Sequence, residues 1–506
     1  MAGVFCVHAA TLRGVEAVPV TVEVELSGGI PGMTIVGMPD SAVLEARSRI
    51  RCAFRACGYE IPRAHVTVNL APSDVRKSGT GLDLPIAVAM LAASSQIPAT
   101  GLDGCLFVGE LGLDGDVCEV RGSMAYALLA REGGLGLVGA RELLEGLSGV
   151  AGLPGARPLG SLSSLRLGVG RLSLAVEEGR LPKQPVHPDE VDYADVVDQE
   201  AAKRAFVVAA AGGHGIFMMG PPGAGKTMLA RRMPSILPAL DEDERLESLL
   251  VHSVCSLPLD GLSQGVRPFR APHHSISRAG LVGGGSPVTP GEASLAHRGV
   301  LFLDELPEFA PGVLQALRQP MEDGEVRLVR AEGTYAFPCR FQLVAAANPC
   351  PCGHLGDRGH ACRCTPAEVD RYQGRIGGAL LDRIDVYVDV RRPAAGRVIG
   401  GSEGLGSAAM REQVAAAREF CSWRVARGGN GETVPGLQSI GLTDDASRSL
   451  ERLAERLCLG GRAIARTARV ARTIADLAGR ERVKPVDVAE ACSYRSRVGV
   501  EGDSGA

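Results

Sequence analysis

The octapeptide GPPGAGKT at 220–227 constrains this chain more than any other segment, because it follows the apolar run GIFMMG at 215–220 and precedes the helical run MLARRMPSIL. A strand, a glycine-rich loop and a helix in that order, with the spacing GxxxxGK[ST], make a phosphate-binding loop. Glycine lets backbone N–H groups turn inward around an anion, with the positive end of the helix behind them. The candidate nucleotide-binding residues are therefore Gly220, Pro221, Pro222, Gly223, Ala224, Gly225, Lys226, Thr227 and Met228. Lys226 is expected to reach the β- and γ-phosphates and Thr227 to hold Mg²⁺. The apolar runs GVLFLDEL at 299–306 and FQLVAAANP at 341–349, alternating with helical stretches, predict an α/β core with a parallel sheet covered by helices.

GVLFLDEL places Asp304 and Glu305 at the carboxyl end of a buried strand, where one carboxylate can bind the magnesium ion and its neighbour can polarise water. Two acids there are costly unless they face a cation. The plainer reading makes them a cap on the helix that follows at Pro307. Asn348 ends the next strand, where it can orient the attacking water, although an Asn before Pro is by itself a turn residue. Lys226, Asp304, Glu305 and Asn348 are the catalytic candidates from these motifs, Thr227 and Asp304 the magnesium ligands, and ATP and Mg²⁺ the expected cofactors.

At 506 residues the chain is too long for one core. Residues 1–180 read as a self-contained α/β domain: TVEVEL at 21–26 and HVTVNL at 65–70 alternate with period two, and SAVLEARSRIRCAFRACG at 41–58 is helical, ending on Gly58. Residues 181–191 are a proline-rich linker, 192–392 the phosphate-loop core, 393–441 a connection, and 442–506 a helical domain. In the last, Thr443 is the expected N-cap of a helix that stops at Gly460 and Gly461. The net charge of −4 gives no global attraction to nucleic acid, so any such contact must be local. No apolar run reaches the roughly 20 residues of a membrane span and the start lacks signal-peptide features, so a cytoplasmic protein without membrane contact is expected.

Of 14 cysteines, four are grouped: Cys350 and Cys352 in NPCPCGH, and Cys362 and Cys364 in HACRCTP. Four thiolates on a Gly- and Pro-rich loop can enclose a tetrahedral Zn²⁺, with His354 or His360 as substitutes. The other reading is a set of reduced loop cysteines.

Long blocks of the core carry a closer likeness: DYADVVDQEAAKRAFVVAAAGGHGIFMMGPPGAGKTMLARRMPSILP, FRAPHHSISRAGLVGGGSPVTPGEASLAHRGVLFLDELPEF, LRQPMEDGEVRLVRAEG, NPCPCGH and GALLDRIDVYVDV. They resemble the magnesium-chelatase-like AAA+ proteins of the YifB/ComM type, over nearly the whole chain. The resemblance implies a homohexameric ring ATPase with sites between subunits, acting on single-stranded or branched DNA, as a branch-migration helicase in recombination or natural transformation, alongside other recombination proteins. It also implies that Arg383, in LLDR, acts in trans on a neighbour's ATP; a salt bridge to Asp382 or Asp385 is the plainer alternative and Arg375 the reserve. Arg462 matches the second sensor, in a C-terminal helical lid, with Arg466 behind it. Arg462, Arg466, Arg469 and Arg472 fall on one helical stripe. The strand–turn–strand pattern GEVRLVRAEGTYAF at 324–337 sits where related helicases carry a pore hairpin, making Arg327 and Arg330 the DNA-binding candidates. The rival implied by the same resemblance is a chelatase-like ATPase that remodels a protein. The family carries glycine where this chain has Asp198, before Gln199, which leaves the adenine-side contacts open.

In the amino-terminal domain, APSDVRKSGTGLDLPIAVAML and VGELGLDGDVCEVRG resemble the Lon-type protease fold. Gly81 stands at the position of that fold's serine, no lysine occurs between 78 and 182, and Lys77 lies beside the lost nucleophile. A Lon-protease-like domain without proteolytic chemistry is expected.

Overall fold

The computed structural model describes residues 4–145, 147, 153, 155–174, 191–330, 333–357, 359–375, 378–381, 383–400, 404–427 and 437–495. Nearly all of the linker expected at 181–191, and Asp382, lie outside them.

The amino-terminal part is a seven-stranded mixed sheet. Its hairpin, Phe5–Arg13 with Glu16–Ser27, pairs on one side with His65–Ala71 and on the other with Cys105–Phe107. Alternation buries one face, as expected: Val66, Val68 and Leu70 point inward from the strand at 65–71. The helix Ser41–Ala56 starts where the Asp40 carboxylate accepts the Val43 N–H at 2.9 Å, buries Val43, Ala46, Ile50 and Ala53, and is followed by Gly58 at φ +67°. The apolar helix Asp83–Ala93 is the core of this part. At its head the buried Asp83 accepts two bonds from Arg49, at 2.5 and 2.9 Å.

The central sheet consists of β1 (Ile216–Met219), β2 (Phe269–Arg270), β3 (Val300–Leu303), β4 (Gln342–Ala347) and β5 (Val386–Asp389), in spatial order β2–β3–β4–β1–β5 and all parallel. The inner strands are buried on both faces, which is why they read as unbroken apolar runs and not as alternating ones. The order of connection reverses at β1, so a crevice opens at the carboxyl edge of the sheet beside that strand. Gly220 leaves β1 there, and any Cβ on it would collide with the Val390 carbonyl.

The amino-terminal and central parts meet at a hairpin. An antiparallel hairpin, Glu325–Arg330 with Gly333–Pro338, precedes β4. The turn Arg13–Gly14 of the amino-terminal sheet packs on it: a Cβ on Gly333 would collide with the Arg13 guanidinium, and one on Gly14 would touch Ala336, Phe337 and Tyr335. Val15 joins Phe337 and Val326 in one apolar cluster. Nearby, Gly122 N–H donates to the Ser253 carbonyl at 2.9 Å.

The carboxyl-terminal helices are α1 (Ser407–Arg427), α2 (Asp444–Arg456), α3 (Gly461–Leu477) and α4 (Pro485–Ser493), with α1 and α3 packed on the helix Glu200–Gly212. Within the connection expected at 393–441, α1 covers the stretch AAMREQVAAAREFCSWRVAR, which reads as helical in the sequence. Thr443 caps α2 as expected, accepting from Ala446 N–H at 3.2 Å. The stop is different. The chain leaves α2 through Cys458 at φ +50°, and Gly460 is the N-cap of α3; glycine is favoured on both sides of a helix boundary, which made the pair ambiguous. Nor do the four arginines of α3 form one stripe. Arg462 is exposed and Arg466 is half-buried beside Asp385, but Arg472 is buried, bonded to the Ile440 and Glu481 carbonyls and paired with Asp476 at 3.0 Å. Asp476 also accepts two bonds from Arg424, both at 3.1 Å, and so ties α1 to α3. Removing one partner of a buried pair strands the other charges, so Asp476→Ala should lower unfolding free energy by about 3–5 kcal/mol, read by urea denaturation.

Candidate nucleotide site

Gly223 at φ +76° and Gly225 at φ +92° occupy left-handed conformations that let the loop curl before the helix Lys226–Arg231 begins. Lys226 is folded into this loop, its Nζ donating to the Gly220 carbonyl at 2.7 Å, the Pro221 carbonyl at 3.2 Å and Asn348 Oδ1 at 3.0 Å. Burial pushes the Lys226 pKa down, and the charges of Asp304 and Glu305 partly restore it. Thr227 Oγ1 donates to Asp304 Oδ2 at 2.7 Å, a hydroxyl–carboxylate pair of the kind that holds a magnesium ion when one is bound. The structure therefore brings Lys226, Thr227, Asp304 and Asn348 together at the carboxyl edge of β1, β3 and β4. Met228, at the start of the helix, is exposed.

Glu305 is held differently. It adopts φ +50°, its N–H donates to Asp304 Oδ1 at 2.9 Å, and its carboxylate lies 3.6 Å from His274 Nδ1. A bulky residue in the left-handed region is strained and persists where the surroundings fix it. His274 was missed by sequence reasoning, although the histidine pair in APHHS was there to be read. Gln199, beside Asp198, donates to the Ala224 carbonyl at 3.3 Å and the Arg391 carbonyl at 2.5 Å, bracing the loop. Asp198 sits at φ +60°, and its carboxylate accepts from Ala394 N–H at 3.1 Å. A left-handed position suits glycine, and Asp is among the few residues that tolerate it.

The remaining candidates lie elsewhere. Arg383 precedes β5, beside Gly215 at the amino-terminal edge of the sheet, and is paired with Glu322. It lines a cavity of about 610 Å³ with Arg298, Arg340, Arg418, Arg466 and Arg469. Asp385 is engaged by His214 at 3.2 Å, Arg495 at 3.7 Å and Arg466 at 3.9 Å. Burial raises its pKa, but His214, Arg466 and Arg469 outweigh that and hold it below the usual carboxylate range. Arg462 is exposed on α3, one helical turn before Arg466. Arg375 is 3.9 Å from Glu308. On the hairpin, Arg327 pairs with Glu325, Arg330 is exposed beside Gly284, and Val329 is 78% exposed.

The four grouped cysteines converge. All four sulfurs lie within 4.8 Å of one another, with separations of 3.4 Å for Cys350–Cys352 and 3.6 Å for Cys350–Cys362 and Cys352–Cys362. A disulfide needs about 2.05 Å, whereas thiolates on a tetrahedral ion with bonds of about 2.3 Å stand about 3.8 Å apart. Cys364 completes the set. His354 and His360 are not substitutes: they gather around Asp357, at 3.2 and 3.6 Å. In the amino-terminal part, Lys77 is buried with its ammonium on the Pro72 carbonyl, and Gly81 faces Tyr126, Val108 and Val120.

Fold and loop together define the class, a P-loop protein of AAA+ type. The profile described as "Magnesium chelatase, subunit ChlI" matches residues 192–398, "Subunit ChlI of Mg-chelatase" matches 22–139, and "Magnesium chelatase, subunit ChlI C-terminal" matches 404–495. The chain is 41% identical to protein YifB of Escherichia coli over 497 residues, covering 97% of this chain and 96% of YifB. It is 42% identical to protein Rv2897c of Mycobacterium tuberculosis over 496 residues, 96% of this chain and 97% of that one. Competence protein ComM of Haemophilus influenzae is 40% identical over 502 residues, 97% of each. The chain belongs to the YifB/ComM family of magnesium-chelatase-like AAA+ ATPases. Among the described residues no helix is long and apolar enough to cross a membrane.

Proposed function

We propose that this protein is an ATP-driven DNA motor, a ring of identical subunits in the cytoplasm that moves single or branched strands during recombination or DNA uptake, together with other recombination proteins. The observation that carries the reading is the arginine-bearing hairpin 325–338, which buries Val326 and Phe337 but leaves Arg327 and Arg330 exposed, immediately before β4 and Asn348. Likeness to a protein named for competence supports the same direction. In this reading the chain works as a protease-like but catalytically silent part at 1–180, a linker at 181–191, the ATPase core at 192–392, a connection at 393–441 and a helical part at 442–506. Lys226 and the loop hold ATP, Thr227 and Asp304 hold Mg²⁺, and Glu305 and Asn348 orient water. Arg383 acts on a neighbouring subunit's nucleotide, and Arg462, in the helical lid, is the second nucleotide sensor. The four cysteines hold a structural Zn²⁺.

ATP turnover by the purified protein, with and without single-stranded or forked DNA and at two salt concentrations, tests this reading, with Lys226→Ala as the blank. Stimulation that weakens with salt is expected. Replacing both Arg327 and Arg330 with Ala should weaken DNA binding about tenfold and shrink the slope of log affinity against log salt by about 1.4, at about 0.7 for each phosphate no longer neutralised. Turnover indifferent to DNA would sink the motor reading and favour a chelatase-like action on a protein client.

A further inference from the structure

We propose that the metal at the four cysteines positions the phosphate loop, so that nucleotide affinity depends on zinc at a site that touches no nucleotide. The inference rests on the zinc reading above and adds a role for it.

The cysteine segment is bound to the loop on two sides. On one side, Asn348, two residues before Cys350, accepts from Lys226 Nζ at 3.0 Å. On the other, Gly353 follows Cys352 directly and lies flat on the Pro222 ring, at φ +82°, where a Cβ would stand 2.6 Å from Pro222 Cδ. Pro222 is also held through its carbonyl, which accepts from Arg392 Nη2 at 3.2 Å. Arg392 in turn reaches His360 at 3.1 Å and Asp357 at 3.5 Å, both in the segment between the two cysteine pairs. Asp357 accepts from Gly359 N–H and meets His354, 3.0 and 3.2 Å away. Behind this, Gln373 donates to the Pro349 carbonyl at 3.0 Å.

Between Asn348 and the helix that starts at Pro366, the described residues form turns and irregular backbone with no helix or strand. Such a segment has no ladder of its own to fix it. A tetrahedral ion that clamps both ends of the 352–362 stretch removes most of its freedom and fixes where Gly353 and Asp357 stand. Pro222, caught between Gly353 and Arg392, is then placed by the metal.

The test uses the full-length protein and three readouts: zinc content by plasma mass spectrometry, affinity for a fluorescent ATP analogue, and thermal unfolding. The wild type should carry about one zinc per chain. Cys352→Ser with Cys364→Ser should lose it and bind the analogue at least about fivefold more weakly, the lower end of ordinary coupling between sites. Gly353→Ala keeps all four thiols; it should retain zinc and still lose affinity to a similar extent, because the new methyl displaces Pro222. If the double variant does not fold, zinc is withdrawn from the folded wild type with phenanthroline and affinity is measured before and after. A wild type that takes up no zinc overturns the metal reading itself. Zinc present, with affinity unchanged by its removal or by Gly353→Ala, overturns the positioning role and leaves a purely structural site.

Discussion

Mixing two inactive variants, Lys226→Ala and Arg383→Ala, is expected to restore ATP turnover that neither shows alone. Each variant by itself should be nearly silent: the first cannot hold the β- and γ-phosphates, and loss of an arginine finger costs about 10³–10⁵ in rate. Their defects sit at opposite edges of one sheet. The phosphate loop leaves β1 at the carboxyl edge, whereas Arg383 stands beside Gly215 at the amino-terminal edge. A strand such as β4, with six residues, is about 20 Å long, farther than an arginine side chain extends. Arg383 therefore cannot serve the loop of its own chain. In a mixed form of the proposed ring, a subunit with an intact loop meets a neighbour with an intact arginine, and those interfaces should turn over. The mixture is assayed by phosphate release across a range of ratios. A mixture as silent as its components would mean that Arg383 works only through its bond to Glu322.

Glu305→Gln should abolish hydrolysis while leaving ATP bound, with a loss of about 10²–10⁴, the usual contribution of a placed general base. The geometry separates the two acids. Asp304 is committed to Thr227 and to the Glu305 N–H, which leaves it to the metal. Glu305 is bent into the left-handed region, 3.6 Å from His274, with its side chain 55% exposed, where it can reach a water. Filter binding of radiolabelled ATP, beside a turnover assay, distinguishes the cases. If Asp304→Asn retains the nucleotide better than Glu305→Gln does, the assignment is reversed.

Much of the architecture was legible because it depends on short-range order. Apolar runs ending in Gly220, Asp304 and Asn348 marked β1, β3 and β4 within a residue or two, and the spacing GxxxxGK[ST] located the loop. What was not legible depends on packing. Helical periodicity put Arg472 with Arg462, but the carbonyls of Ile440 and Glu481 and the carboxylate of Asp476 drew it inward. The histidines were open as metal substitutes until Asp357 was seen to gather them. Which edge of the sheet receives α3 cannot be read from its sequence, since either edge would bury the same apolar face. His274 belongs to the same group: its meaning lies in a neighbour, Glu305, more than thirty residues away along the chain.

The seating of the amino-terminal turn against the hairpin changes what kind of part the hairpin is. A methyl group at Gly333 would have to displace the Arg13 guanidinium, and Val15 shares a core with Phe337. A hairpin so seated is not a loose finger but a lever with a bearing, and the bearing is the amino-terminal sheet. In the proposed motor, force applied at Arg327 or Arg330 would be taken up there as well as in the ATPase core. A domain without proteolytic chemistry would then serve by its stiffness, and shortening the Arg13–Gly14 turn would weaken the stroke without touching the nucleotide.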